Sequence, residues 1–266
     1  MKFFDTLFDV KEDDYYGVSG LNSELNCIYV YNNYLKYNRG MLVVANSLYE
    51  ATSLYSKLIN YTDRVLFFPM DDFITSEAIA VSPEFKSERI HTLNKLVVDN
   101  NYIVVTNLMG VLRYLPRKEV WKKHIIHLEK GSNIERDYLI NQLFEMGYER
   151  ESIVSETGKL GVRGYVLDVF SIGSDNPVRI EFWGDEVDGN KTFDAESQLS
   201  KDEILSIDIY PYSEFLLDVY PKEVVKKQKY LKHYAKDISS LWEYVGGFKV
   251  FYYDYLPHHR FRGAVS

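Results

Sequence analysis

Three short runs of apolar residues, separated by segments of helical pattern, constrain the fold of this chain more than any other feature. The runs are Met41–Ala45, Val65–Phe68 and Tyr102–Val105. Continuous apolar runs of this length are typical of strands that are buried on both faces of a sheet. Because helical segments alternate with these strands, the sequence predicts an α/β fold with a parallel sheet covered by helices on both sides.

The pattern changes near residue 118, where hairpin-like strands replace the alternation. The segment from Trp121 to Leu128 has the pattern of a linking strand, and Ser132 and Glu135 have the spacing of a capping box that opens a helix. The strands predicted after this helix are Ser152–Ser155, Val162–Phe170, Val178–Trp183, Val187–Phe193 and Ile204–Tyr210, with glycine turns between them.

This switch predicts two domains. A small α+β domain is expected at about 118–212, with boundaries uncertain by several residues. It is inserted into a larger α/β domain formed by residues 1–117 and 213–266, whose second part we expect to be truncated. The chain is therefore expected to be a fragment of a longer protein.

The composition argues against several classes of function. The chain has 266 residues and a net charge of −8, which disfavours nonspecific nucleic-acid binding by the chain as a whole. It has one cysteine, Cys27, and therefore neither an internal disulfide nor a cysteine-based zinc site. No segment has the character of a signal peptide or a membrane span, so we expect a cytoplasmic protein without a membrane partner.

Candidate metal ligands are scattered along the chain. His124 and His127 lie on opposite faces of a predicted strand, and the pair His258–His259 has no further ligand at a suitable spacing. The pair Asp71–Asp72 follows a buried strand, where a magnesium-binding acid of a nucleotide hydrolase could lie, but such a pair is also a common start of a loop. We predict neither a metal site nor a catalytic residue.

A loop before the first predicted helix resembles a phosphate-binding loop that has lost its functional groups. A working loop of the form G-x-x-x-x-G-K-[ST] needs its second glycine to wrap the phosphates, its lysine to reach them and its hydroxyl to bind magnesium. If Gly17 is the first glycine, then Asn22 replaces the second glycine, Ser23 the lysine and Glu24 the hydroxyl. We predict that this degenerate loop, which includes Gly20, binds no nucleotide, and that the chain has no cofactor. The pattern leaves open an ordinary glycine turn before a helix.

Several motifs resemble the UvrB-homology module at the N-terminus of bacterial transcription-repair coupling factors, the Mfd family. These motifs are, in chain order, Gly17–Gly20, Phe67–Phe73, Ser82–Glu84, Arg89–Ile90, Ile103–Gly110, Gly147–Arg150, Val162–Phe170, Pro177–Asp188 and Thr192–Asp194. The ordered match from 147 to 194 is the most specific, and the resemblance covers nearly the whole chain. It implies a degenerate P-loop NTPase-like domain, of the RecA or helicase type, with a small UvrB-like second domain.

The resemblance also implies a function in nucleotide excision repair. In this family the small second domain binds UvrA and so brings the repair machinery to a stalled RNA polymerase. The full-length proteins are ATP-dependent DNA translocases, and their C-terminal domain masks the UvrA-binding surface. We therefore expect UvrA as the partner of this chain, and RNA polymerase, DNA and the C-terminal domain as partners in the full-length protein. The chain itself is expected to be non-catalytic.

UvrB, an ATP-dependent helicase-like subunit of the excision nuclease, has the same layout and is the alternative. Two departures from it count against that assignment. UvrB has an intact phosphate-binding loop, and it inserts a long aromatic-rich hairpin that clamps DNA. In this chain only residues 71–82 connect the second buried strand to the helix that follows, which is the length of an ordinary loop.

The predicted UvrA-binding site centres on the strand Val178–Trp183. Side chains alternate between the two faces of a strand, so Arg179, Glu181 and Trp183 are expected opposite the core-facing residues. The resemblance places the arginines that contact UvrA at Arg163 and Arg179, and the aromatic contact at Trp183. We therefore predict a site of Arg163, Arg179, Glu181 and Trp183. The pattern leaves open that Trp183 packs under a loop and that Arg179 pairs with Glu181 or Asp185.

Overall fold

The computed structural model describes residues 20–72, 82–214, 216, 238–246 and 248–252, which form two compact units. The first unit contains the described residues up to Phe85, those of Asp99–Arg113 and those from Leu241 onward. The second contains Lys86–Val98 and the described residues of Tyr114–Ser240. The domain boundaries predicted from the sequence, at 117 and 213, stay a prediction. Gly17, His258 and His259 lie outside the described residues.

The described helices are α1 (Ser23–Tyr37), α2 (Leu48–Leu58), α3 (Pro83–Val98), α4 (Leu108–Val111), α5 (Lys118–Lys123), α6 (Arg136–Glu145) and α7 (Leu241–Val245). The described strands are β1 (Met41–Ala45), β2 (Val65–Phe68), β3 (Ile103–Asn107), β4 (Leu115–Pro116), β5 (Ile126–Glu129), β6 (Glu149–Arg150), β7 (Lys159–Arg163), β8 (Val166–Val169), β9 (Val178–Trp183), β10 (Glu186–Phe193), β11 (Ser200–Ile204), β12 (Ser206–Ile209), β13 (Ile238–Ser239) and β14 (Phe248–Tyr252).

Four parallel strands form the sheet of the first unit, in the order β14-β1-β3-β2. Met41 of β1 pairs with Ile103 on one side and with Phe248 on the other. Every residue of β1, β2 and β3 is buried, as expected for strands covered on both faces. Cys27 of α1 and Leu54 of α2 pack in the same core cluster as these strands. The predicted parallel sheet is therefore confirmed.

Six strands form the main sheet of the second unit, in the order β11-β10-β9-β8-β7-β6. All neighbours in it are antiparallel except β6 and β7. Helix α6 supplies Leu139 and Leu143 to one face, where they share a core with Leu167, Ile180 and Phe182. The described residues thus form a mixed α/β protein, with a parallel sheet in the first unit, a mainly antiparallel six-stranded sheet in the second, and two two-stranded ribbons, β5–β12 and β4–β13.

Two predicted strands proved to be wrong in extent, and one is absent. Residues 152–155 form no strand, and the short β6 precedes them. The segment 162–170 is two strands, β7 and β8, because Gly164 turns the chain between them with φ of +59°. The segment 204–210 is divided likewise, since β11 belongs to the large sheet and β12 pairs with β5 in a separate ribbon. Apolar runs that continue through a turn conceal it from the sequence pattern.

The predictions for residues 121–135 also need correction. Residues 118–123 form helix α5, and its Trp121 is fully buried with its indole Nε1 donating to Asn94 Oδ1 at 2.7 Å. Only residues 126–129 form a strand. Ser132 makes no capping box, because its hydroxyl accepts a hydrogen bond from the Glu129 amide at 3.0 Å. Helix α6 begins later, at Arg136.

Residues 210–214 cross the second unit next to two glycines. The Tyr148 hydroxyl donates to the Tyr210 carbonyl at 2.8 Å, and the Tyr212 ring packs against Tyr148 with ring centroids 6.0 Å apart. Gly158 has a φ of +84°, and a Cβ atom there would lie 2.1 Å from the Tyr212 ring. Position 158 therefore requires glycine for its backbone conformation and for space.

No helix among the described residues is both long and apolar enough to cross a membrane.

We expect Gly158→Ala to lower the free energy of unfolding by about 1–3 kcal/mol more than Gly173→Ala, the usual cost of overpacking. Gly173 is the matched control because its φ of +81° is nearly the same and a Cβ there would meet nothing within 4 Å. Urea denaturation followed by circular dichroism measures both variants. Equal losses would show that Tyr212 does not fill the space beside Gly158.

Candidate functional site

The candidate site lies on the face of the six-stranded sheet opposite α6, which we call the outer face. Strand β9 alternates as predicted: Val178, Ile180 and Phe182 are buried, and the intervening residues point the other way. Trp183, the last residue of β9, is 82% exposed. It therefore does not pack under a loop, and the outer face carries a large aromatic side chain with no folding contact to explain it.

The outer face is organised around the carboxylate of Asp168, which is 1% exposed. Asp168 of β8 pairs in register with Arg179 of β9 and with Gly161 of β7. The Arg179 guanidinium donates from Nε to Oδ1 at 2.8 Å and from Nη2 to Oδ2 at 3.0 Å. Arg163, at the end of β7, donates from Nη2 to the same Oδ2. Two predicted site arginines thus share one buried carboxylate.

Arg179 is held on every side. Its side chain is 16% exposed, and its guanidinium carbon lies 4.6 Å from the centre of the Phe193 ring. Its Nη1 donates to Ser200 Oγ at 3.2 Å and to the Gln198 carbonyl at 3.4 Å. The hydrogen bond to Asp168 raises the pKa of Arg179, so its charge is secure. Neither alternative partner, Glu181 or Asp185, holds this arginine.

Arg163 differs from Arg179 in its surroundings. Its side chain is 53% exposed, and within the described part of the chain Asp168 is its one recorded hydrogen-bonding partner. Guanidinium carries five N–H donors in a planar fork, so most donors of Arg163 face solvent. Arg163 can therefore bind an acceptor on another molecule without breaking its bond to Asp168.

Two further residues complete this surface. Glu181 pairs with Lys191 across β9 and β10, with Nζ to Oε2 at 3.0 Å. Tyr165, in the turn between β7 and β8, is 68% exposed, and its carbonyl accepts from the Phe182 amide at 2.9 Å. Tyr165 therefore lies at the same end of the sheet as Trp183.

Asp168, Phe193 and Tyr165 were not predicted from the sequence as parts of this surface. One signal for Asp168 was available: a carboxylate alternating with apolar residues in Val166–Val169 is buried by its neighbours and needs a cationic partner. Nothing in the pattern names that partner, because Arg163 and Arg179 come from two different strands. For Phe193 and Tyr165 we find no comparable signal in the sequence.

The described part of the degenerate loop is used to begin α1. Asn22 Oδ1 accepts from the Leu25 amide at 2.9 Å and so caps the helix. A lysine does reach this point, but from α2: Lys57 Nζ donates to Ser23 Oγ at 2.7 Å and lies 2.9 Å from Glu24 Oε1. The Glu24 carboxylate therefore already neutralises the cation beside the helix. Gly20 has a φ of +84°, in keeping with a turn.

The other candidate ligands have structural roles. The Asp72 carboxylate accepts from the Leu48 amide at the start of α2, at 2.9 Å, and from Asn107 Nδ2 at 2.8 Å. His127 lies 2.6 Å from Asp208 Oδ1, whereas His124 is the residue that ends α5. Among the residues that the structure describes, no group of three or more His, Cys, Asp or Glu is placed to hold a metal ion.

Comparison with known families matches residues 126–215 to the family model of the UvrB interaction domain. These residues contain the whole of the outer-face site, from Arg163 to Trp183. Helix α6 and the strands β5 to β12 also lie inside this match.

The whole chain is similar to transcription-repair-coupling factors. It is 31% identical over 261 residues to that of Staphylococcus aureus and 32% identical over 262 residues to that of Staphylococcus epidermidis. Each match covers 94% of this chain and 22% of the relative, so the chain spans about a fifth of the length of these relatives. The resemblance read from the sequence motifs is confirmed.

We expect Arg179→Ala to lower the free energy of unfolding by about 1–3 kcal/mol, because a buried carboxylate loses two charge-assisted hydrogen bonds. Arg163→Ala is the matched control, since it removes an arginine from the same carboxylate but from an exposed position, and it should cost no more than about 0.5 kcal/mol. Thermal and urea unfolding of the two variants make the measurement. Equal costs would contradict the different burial of the two side chains.

Proposed function

We propose that this chain is a non-catalytic binding module that recruits UvrA to stalled RNA polymerase in nucleotide excision repair. The observation that carries the proposal is the exposed Trp183 on the outer face of a sheet that matches the UvrB interaction domain, with Arg163 half-exposed on the same face. The proposed UvrA-binding residues are Arg163, Arg179, Glu181 and Trp183.

The chemistry of the outer face supports a protein partner. Tryptophan, tyrosine and arginine are the residue types that most often dominate the binding energy of protein interfaces. The outer face presents Trp183 and Arg163, and the exposed Tyr165 lies in the turn at the same end of the sheet. A large aromatic side chain left in water has no benefit for folding, whereas burial against a partner would remove its apolar surface from water.

The recruitment step is proposed from the relatives. Their name, transcription-repair-coupling factor, describes a link between transcription and repair, and this chain spans 22% of their length. We propose that RNA polymerase, DNA and a C-terminal domain that masks the outer face are engaged by the full-length protein. In this scheme the present chain is its UvrA-binding arm.

We further propose that the first unit is a degenerate P-loop NTPase-like domain that does not use nucleotide. Support comes from Glu24 and Lys57, because the carboxylate neutralises the nearest cation and would itself repel a phosphate. Because Lys57 is already paired with Glu24, a phosphate at the start of α1 would depend on backbone N–H groups of the helix end.

The first test measures UvrA binding by isothermal titration calorimetry. Trp183→Ala should weaken binding by about 2 kcal/mol or more, the usual scale of an interface hot spot. Tyr49→Ala is the matched control, because Tyr49 is also 82% exposed but lies on α2, outside the UvrB interaction domain. Trp183→Ala should unfold like the parent, since its side chain contributes no buried contact.

Two results would count against this site. If Trp183→Ala bound UvrA as tightly as the parent, the contact would lie elsewhere on the domain. If the parent chain itself did not bind UvrA, the recruitment function would fall as a whole.

The second test is a titration with a fluorescent ATP analogue and an ATPase assay on the purified chain. We expect neither binding nor hydrolysis. An intact P-loop ATPase, treated identically, serves as the positive control. Micromolar affinity for ATP would refute the reading of Glu24 and Lys57 and would favour the alternative, a UvrB-like ATP-dependent helicase or excision nuclease subunit.

A further inference from the structure

The two arginines that bind Asp168 differ in how many of their guanidinium donors are used within the domain. This difference indicates a separate role for the Asp168 carboxylate. Arg179 uses Nε, Nη1 and Nη2 on groups of its own domain and stacks on Phe193. Arg163 uses Nη2 on Asp168 and leaves its other donors toward solvent. A guanidinium that is held by one hydrogen bond, with its other donors exposed, already has a fixed orientation. It therefore loses little side-chain entropy when it binds a partner.

We infer that Asp168 is a positioning residue, which fixes the Arg163 guanidinium for an acidic group on the partner while Arg179 holds Asp168 in place. The inference rests on the proposed function, since the partner it serves is UvrA. It adds a residue that makes no contact with the partner itself, because Asp168 is 1% exposed.

Each contact in the series from Phe193 through Arg179 and Asp168 to Arg163 has a physical reason. Phe193 is fully buried and offers its ring to Arg179, and the two-point bond from Arg179 fixes the plane of the Asp168 carboxylate. With that plane fixed, Oδ2 points a lone pair at Arg163 on the far side of β8. The contacts run across β10, β9, β8 and β7, so a rigid sheet holds them.

Without its hydrogen bond to Asp168, Arg163 would bind the partner less tightly. Its long side chain would lose rotamer freedom on binding, at about 0.5–1.5 kcal/mol for an immobilised flexible side chain. Its free donors suit a carboxylate, which accepts two parallel N–H bonds from a guanidinium. The partner chemistry that fits is therefore an acidic side chain on UvrA.

The decisive experiment is a double-mutant cycle on UvrA affinity with Asp168→Asn, Arg163→Ala and the double variant. Each single change should lower the affinity for UvrA about tenfold or more. The double variant should bind UvrA as tightly as the single variant that has the lower affinity. A purely structural role for Asp168 would instead give losses that add. Asp208→Asn is the control, since it removes the negative charge of the exposed pair with His127 on the β5–β12 ribbon.

A second variant guards against a folding defect in Asp168→Asn. Arg163→Lys keeps the positive charge but cannot reproduce the planar fork. It should lose most of the affinity that Arg163→Ala loses, with unchanged thermal unfolding. Parent-like binding by Arg163→Lys would overturn the inference, because the direction of the guanidinium would then be irrelevant.

A measurement without UvrA separates this inference from the proposed function. The ¹⁵N relaxation of Arg163 Nε should report a restricted side chain in the parent and a mobile one in Asp168→Asn, with Arg163 unchanged in Asp208→Asn. If the parent did not bind UvrA, the proposed function would fail, and the relaxation data alone would decide whether Asp168 holds Arg163. Equal mobility in parent and Asp168→Asn would overturn the positioning role.

Discussion

The outer face of the six-stranded sheet depends on one buried carboxylate. Asp168 lies on the face of β8 that α6 does not cover, and it would be costly there without cations. Arg179 and Arg163 supply them from the strands on either side, β9 and β7. Charge compensation across three strands therefore fixes which side chains are sequestered on this face and which are presented.

This arrangement gives the two faces of the sheet different surfaces. The face toward α6 is apolar and forms the core, with Leu167, Ile180 and Phe182 among its members. The other face is partly closed by Phe193 and the stacked Arg179, while Trp183 and half of Arg163 remain open. Because successive side chains of a strand point to opposite faces, each strand contributes residues both to the core and to the outer face.

In the first unit, side chains that the sequence pattern suggested for a nucleotide site make contacts within the chain instead. Glu24 pairs with Lys57, Asn22 caps α1, and Asp72 accepts hydrogen bonds at the start of α2. Each contact satisfies a polar group or a helix end that would otherwise face a ligand or water. These side chains therefore stabilise the ends of the helices that pack on the parallel sheet of the first unit.

The sequence by itself determined the strand–helix alternation, the parallel sheet of the first unit and the two faces of β9, because these follow from local periodicity. It also carried the family resemblance, through the ordered motifs between 147 and 194. It did not determine the turn at Gly164, because apolar residues continue through that turn. Nor did it determine the helix around Trp121 or the late start of α6, where the Ser132 hydroxyl accepts from the Glu129 amide. Only the tertiary structure decided that Arg179 is held and Arg163 presented, because their shared partner Asp168 reaches them through strand pairing, which residue spacing does not encode.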